Sequence, residues 1–279
     1  MSRRSPPSSV SRHLHERATH WLAQGTAPGQ VVGRLEAEGV SAAAASSLVR
    51  AILTGRAPAA ATVEATCWPA GFPFADRHEA TFGGHAMRLL ARLQAPAVAL
   101  VDNVLGTDEC DALIAAARPR LTRSEVVDPH TLASRPDQAR TSAGVSLGVE
   151  ELPWLSGLQS RLCWLMACPV THAERLQVLH YRRGDRYKAH HDYFDRPLAD
   201  GGQRQATLVV YLAAVEAGGQ TDFPGLGLEL SPRRGMGVYF AYGNDAGQLD
   251  PRSLHAGAPV DHGEKWIITQ WVRDRPVTG

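Results

Sequence analysis

Apolar residues in the first fifty positions recur at helical spacing. Leu14, Ala18, Trp21 and Leu22 share one face, followed by Val31, Val32 and Leu35 and then by Leu48, Val49 and Ile52. Three short helices are predicted between Val10 and Leu53. Gly25 and Pro28 punctuate the first break, and Gly39 followed by Ser41 reads as a helix stop and the next N-cap. The stretch TGRAPAAATVEATCWPAGFPF is rich in Ala, Pro and Gly and has no clean period, so it is expected to be a linker. The predicted organisation is a helical accessory region over 1–55, a linker over 56–95 and a main domain over 96–279.

The pattern changes after the Pro at position 96. PAVALVDNVLG predicts a strand, and TDECDALIAAA predicts a helix opened by a Thr107 N-cap and an acidic first turn. Short alternating runs then follow at 206–213, 227–230, 237–241 and 266–272, separated by turn sequences such as EAGGQ and SPRRG. Short strands joined in this way predict an antiparallel jelly roll with helices packed on one side, an α+β fold.

Composition narrows the function classes. The chain has 279 residues and a formal net charge of +1, with no basic field of the kind nucleic-acid binding needs. Cys67, Cys110, Cys163 and Cys168 show neither metal-ligand spacing nor a disulfide framework, which suits a reduced, cytoplasmic compartment. The N-terminal MSRRSPPSSVSRH lacks the apolar core of a secretory signal, and no run reaches membrane-spanning length.

The chemistry concentrates in LQVLHYRRGDRYKAHHDYFD. His190 and Asp192 stand two apart in an alternating run, so both can project from one strand face toward one metal ion. The C-terminal segment SLHAGAPVDHGEKWIITQWVRD offers a third ligand, His255 or His262, and a basic residue, Lys265. Two histidines and a carboxylate on one face of an octahedron suit non-haem Fe(II) and leave positions open for a co-substrate and O2.

These segments, with YLAAVEAGGQTDFP and the ARTSAG stretch, closely resemble prolyl 4-hydroxylase-like Fe(II)/2-oxoglutarate dioxygenases over about two-thirds of the chain. That family folds as a double-stranded β-helix. The resemblance implies His190, Asp192 and His255 as iron ligands. It prefers His255 to His262 because a basic anchor follows the distal His by ten positions. Lys265 would then hold the far carboxylate of 2-oxoglutarate, and strand alternation puts Ile267, Thr269 and Trp271 on its face. By similarity Tyr181, Thr221 and Trp271 complete the co-substrate site, and Tyr187 and Arg204 lie on the substrate side. Arg140 belongs to another family motif and receives no firm role.

The implied activity is hydroxylation of a C–H bond at C4 of a prolyl residue in a peptide or protein, with Fe(II), 2-oxoglutarate and O2 consumed together and ascorbate as a companion reductant. Two other readings stand beside it. One is a hydroxylase of a free amino acid or small metabolite. The other is a catalytically silent metal-binding interaction protein. No nucleic-acid or membrane partner is expected.

Overall fold

The computed structural model describes residues 17–37, 42–54, 68–127, 134–136, 140–194, 198, 202–243 and 249–277. Three helices come first: α1 over 17–23, α2 (Pro28–Ala37) and α3 (Ala42–Thr54). Ala18, Val31, Leu35, Ala45 and Val49 form a buried cluster of their own, as the helical spacing predicts. The expected stop and cap at Gly39 and Ser41, the N-terminal tail and Cys67 lie outside the described residues.

The main body begins with β1 (Glu79–Phe82), β2 (His85–Gln94) and β3 (Ala97–Asp102), followed by α4 (Thr107–Ala117). Next come β4 (Thr122–Arg123), β5 (Glu125–Val127), β6 (Ser134–Pro136), β7 (Ala143–Leu147) and α5 (Leu155–Leu165). The rest is strand-rich: β8 (Leu176–Tyr181), β9 (Tyr187–His190), β10 (Arg204–Tyr211), β11 (Ala217–Gly218), β12 (Thr221–Phe223), β13 (Leu228–Leu230), β14 (Gly237–Ala241), β15 (His255–Gly257), β16 (Val260–His262) and β17 (Lys265–Arg273).

A larger sheet runs β1-β2-β3-β14-β10-β17-β8-β7-β4, and a smaller one runs β13-β12-β15-β9. Their strands pair antiparallel, and the two sheets enclose one core, the jelly roll that the alternating runs predicted. Strand parity divides the packing. Val178, Leu208, Val210 and Ile268 face the helix side, where Leu113 of α4 and Leu158, Leu162 and Leu165 of α5 cover them. Leu179, Tyr181, Val209, Tyr211 and Ile267 face inward with Phe223 and Phe240 from the opposite side. Buried on both faces, the central strands read as apolar runs, and each fully buried large side chain contributes roughly 1.5–3 kcal/mol.

Two local expectations are corrected. Thr107 is the first helical residue of α4 and not its cap; Gly106 holds the cap position, and its N–H donates to Glu109 Oε2 at 2.9 Å. Much of the stretch 56–95, expected to be linker, belongs to the main body. Phe72, Phe74 and Met87 sit in the helix-side core, and β2 covers the edge of β3 from Asp102 to Ala97. The Ala, Pro and Gly of the earlier part hid this, because β2, next to the edge strand β1, has only one buried position and little alternation.

A truncation tests the corrected boundary. A chain beginning at Trp68 should unfold thermally close to the full chain. One beginning at the Pro at position 96 should not fold stably, since losing Phe72, Phe74 and Met87 costs roughly 2–5 kcal/mol each against a domain stability of about 5–15 kcal/mol. Equal unfolding temperatures for the two would reinstate the linker.

Candidate active site

β8 reverses into β9 through a tight turn in which the Asp185 N–H donates to the Arg182 carbonyl at 2.9 Å. Gly184 takes the left-handed conformation there, φ +85°, which a side chain would strain. The Asp185 carboxylate closes the same turn by accepting from the Arg182 N–H at 2.8 Å. The reversal brings β9 alongside β15, where His190 and His255 are direct cross-strand partners. Asp192 follows two residues after His190, just beyond the strand end.

The outcome is a compact cluster. One ligand-type atom from each of His190, Asp192 and His255 lies within 4.8 Å of the others. His190 Nε2 stands 3.4 Å from Asp192 Oδ1, and His255 Nε2 stands 3.6 Å from Asp192 Oδ2. Each imidazole also has its Nδ1 on a carbonyl two residues back: His190 on Lys188 O at 2.9 Å, His255 on Ser253 O at 3.1 Å. A carbonyl only accepts, so Nδ1 carries the proton and the Nε2 lone pair is presented toward Asp192. Burial pushes the His255 imidazole down to about 4, which keeps it neutral near pH 7. Burial alone would raise the Asp192 carboxyl, but in the acid range where it would take a proton His255 is itself charged, and this cation together with Arg204 holds it well below the usual carboxylate range. Two neutral nitrogens and one carboxylate are the donor set that Fe(II) takes.

Thr207, on β10, was missed by the sequence reading. Its hydroxyl donates to Asp192 Oδ2 at 2.6 Å, and the Tyr242 hydroxyl lies 3.3 Å from the same threonine oxygen. Nothing in the sequence marks this threonine within an otherwise apolar run. His262 sits exposed at the end of β16 opposite Ala217, and His191 turns to the Pro251 carbonyl at 3.2 Å, so neither joins the cluster.

Lys265, Ile267, Thr269 and Trp271 line one cavity of about 1110 Å³ together with the cluster, Tyr181 and Thr221. Lys265 is 2% exposed. Among the described residues no carboxylate meets its ammonium; its Nζ lies over the rings of Tyr181 and Tyr211 at 5.4 and 5.8 Å. With no anion to compensate, burial pushes this lysine down to about 7. Thr221 is buried and accepts from the Tyr211 hydroxyl at 2.7 Å. An uncompensated buried cation facing a three-ligand cluster fits a chelating co-substrate with a second, distal carboxylate.

Tyr187 stacks on His190 with ring centroids 3.6 Å apart, and burial pushes its phenol up to about 12, so it remains a neutral donor. The Arg140 guanidinium also lies over this ring, 4.9 Å from its centroid, and donates to Gln177 Oε1 at 2.8 Å. Arg204 lines the same cavity and is held there by several partners. Its Nε and Nη2 grip Glu174 at 2.7 and 2.8 Å, its Nη1 reaches the Asp192 carbonyl at 3.2 Å, and its plane covers Trp271 at 3.9 Å. Sequence spacing could not show Glu174, which comes from before β8 and also accepts from Arg273 at 2.7 Å. The Trp271 Nε1 is buried and meets no hydrogen-bond partner among the described residues.

Residues 176–273 match the family model described as 2OG-Fe(II) oxygenase superfamily. The chain is 36% identical over 198 residues to probable prolyl 4-hydroxylase 3 of Arabidopsis thaliana, covering 63% of this chain and 69% of that protein. Prolyl 4-hydroxylase 5 of the same plant is 35% identical over 199 residues, covering 63% and 68%. Among solved structures, the viral collagen prolyl hydroxylase of Paramecium Bursaria Chlorella virus-1, in its 2OG complex, is similar at 31% identity and a TM-score of 0.51, covering 63% of this chain and 95% of that one. The chain belongs to the 2OG-Fe(II) oxygenases, as a member of their prolyl 4-hydroxylase-like family of dioxygenases.

Proposed function

We propose that this enzyme hydroxylates C4 of prolyl residues within a peptide or protein, with His190, Asp192 and His255 holding Fe(II). The observation that carries the reading is Lys265, a buried ammonium that meets no carboxylate among the described residues, in the cavity that also contains the three-ligand cluster. A purely structural metal has no use for such a cation. When bound, Fe(II) and 2-oxoglutarate supply the oxidising chemistry, in which O2 and 2-oxoglutarate give succinate, CO2 and one oxygen atom for the substrate C–H bond. The protein's own part is to bind, orient and exclude water. Lys265 matches the distal carboxylate of 2-oxoglutarate, Tyr181 and Thr221 add hydroxyls beside it, and Trp271 offers its indole N–H. Arg204, fixed by Glu174, acts as a positioning residue for Asp192 and Trp271. Tyr187 fixes the His190 ring from the cavity side, next to where the target proline would enter.

Thr207→Val keeps side-chain volume and removes the hydroxyl that orients Asp192. The expected loss is roughly ten- to hundredfold in Fe(II) affinity, the range for partners that orient a metal ligand, with unfolding little changed. Unchanged affinity in an iron titration would show that Asp192 is oriented without it.

The relatives' names support a peptidyl proline, and so does physical fit, since a proline in polyproline II conformation exposes its ring for attack. The deciding experiment compares proline-rich peptides with free L-proline and scores a mass gain of one oxygen. Faster reaction of free proline, or of another small metabolite, would transfer the activity to small molecules. We further assign ascorbate as the reductant that restores iron lost to uncoupled turnover, helices α1–α3 to a separate accessory module, and the enzyme to the cytoplasm. The free thiols of Cys110, Cys163 and Cys168 support the last point.

A further inference from the structure

Asp192 is the one member of the cluster with two ligand oxygens, and a buried hydroxyl holds one of them. Oδ1 stands 3.4 Å from His190 Nε2 and Oδ2 stands 3.6 Å from His255 Nε2, so each oxygen lies beside an imidazole nitrogen and both are within reach of a shared ion. Oδ2 also accepts from the Thr207 hydroxyl at 2.6 Å. Thr207 is held in turn. On β10 it shares the inner face with Val209 and Tyr211, and its cross-strand partner on β14 is Phe240, so Tyr242, two residues beyond Phe240, is its diagonal neighbour on that face. The Tyr242 hydroxyl lies 3.3 Å from the threonine oxygen, and both side chains are fully buried. A carboxylate only accepts, so the single Thr207 hydrogen is committed to Asp192 and the Tyr242 phenol donates across the longer contact. Burial pushes that phenol well above its ordinary value, so its proton is in place near neutral pH. Valine and phenylalanine would fill the same space with no hydroxyl to satisfy, so this buried pair costs stability unless it serves the site.

Coordination arithmetic supplies the use. An octahedral ion has six positions, and His190, His255 and one Asp192 oxygen leave three, enough for a chelating keto acid and O2. A carboxylate can also bind an ion through both oxygens, which would leave two positions, and the co-substrate would fill them. Resting on the iron-ligand reading above, we propose that Thr207, fixed by Tyr242, holds Asp192 Oδ2 so that this carboxylate ligates through Oδ1 alone and the position for O2 stays open. An oxygen that accepts a charge-assisted hydrogen bond is a weaker ligand than its free twin, because its electron density is already drawn toward the donor. Thr207 and Tyr242 are positioning residues, acting through Asp192.

The test counts open positions and does not depend on turnover. Mn(II), a paramagnetic ion that accepts the same donors, is loaded into the full chain in place of iron, and water-proton relaxation reports how many waters the bound ion carries. After correction for free ion, wild type should hold about three waters and Thr207→Val about two. Thr207→Ser keeps the hydroxyl and should return the count to the wild-type value. Tyr242→Phe should fall between wild type and Thr207→Val, because Thr207 loses the donor that fixes its hydroxyl. With Fe(II) and 2-oxoglutarate both saturating, Thr207→Val should need several-fold more O2 for half-maximal succinate formation, while its 2-oxoglutarate requirement moves little. A lost packing contact would lower the unfolding temperature without changing the water count. Equal counts in all four proteins would overturn the proposal and leave the three ligands intact. A fall in Thr207→Val with Tyr242→Phe unchanged would overturn the part given to Tyr242. If Thr207→Val does not fold, Tyr242→Phe against wild type carries the comparison, and equal counts there overturn the proposal. If Mn(II) and Fe(II) do not compete for one site in wild type, or compete equally well in His255→Ala, the ligand reading itself fails, and this proposal with it.

Discussion

Replacing His190, Asp192 or His255 with Ala is expected to abolish Fe(II) binding and turnover, while His262→Ala leaves both near their original level. Each of the three contributes one ligand atom to a cluster whose members lie within 4.8 Å of one another. Two remaining ligands cannot define one face of an octahedron, and the open corner would fill with water. Asp192→Ala should be the most damaging, because it also strands the Thr207 hydroxyl, which donates to that carboxylate at 2.6 Å. The check is an iron titration of each purified variant, with thermal unfolding measured alongside to separate lost ligation from lost folding. Retained iron affinity in His255→Ala, with loss in His262→Ala, would reverse the choice of third ligand.

Lys265→Ala should still bind iron but require far more 2-oxoglutarate. Charged hydrogen bonds contribute about 1.5–3 kcal/mol, so the expected weakening is roughly ten- to hundredfold. The same lysine predicts a pH dependence. Burial pushes its ammonium down to about 7, and a bound dianion would raise it again. Below that value the cation is already present and 2-oxoglutarate binds at full strength. Above it, binding must first recapture a proton, and affinity should fall about tenfold per pH unit. Co-substrate titrations on the slightly acid and slightly alkaline sides of neutrality give both numbers. A wild-type affinity independent of pH and equal to that of Lys265→Ala would remove Lys265 from the co-substrate site.

The jelly roll and its chemistry were legible because both depend on period. Alternation marked β10, β14 and β17, and the same period of two placed Lys265, Ile267, Thr269 and Trp271 on one face, where the cavity is. His190 and Asp192 could be paired from their spacing alone. The helical stripe of α1–α3 was equally readable. What the sequence could not determine is anything that depends on which strands become neighbours. His255 meets His190 because β15 pairs with β9, and that register is a property of the closed sandwich, not of either segment. Thr207 and Glu174 reach the site from β10 and from the segment before β8, with no spacing rule linking them to Asp192. Arg204 was placed on the substrate side by its position, but only the fold could show that Glu174 already engages two of its nitrogens. β1 and β2 were read as linker because β2, next to the edge strand β1, has only one buried position and little alternation to reveal it. Local periodicity is written into a single segment, whereas pairing, register and charge balance are decided only when distant segments bury their apolar faces against one another.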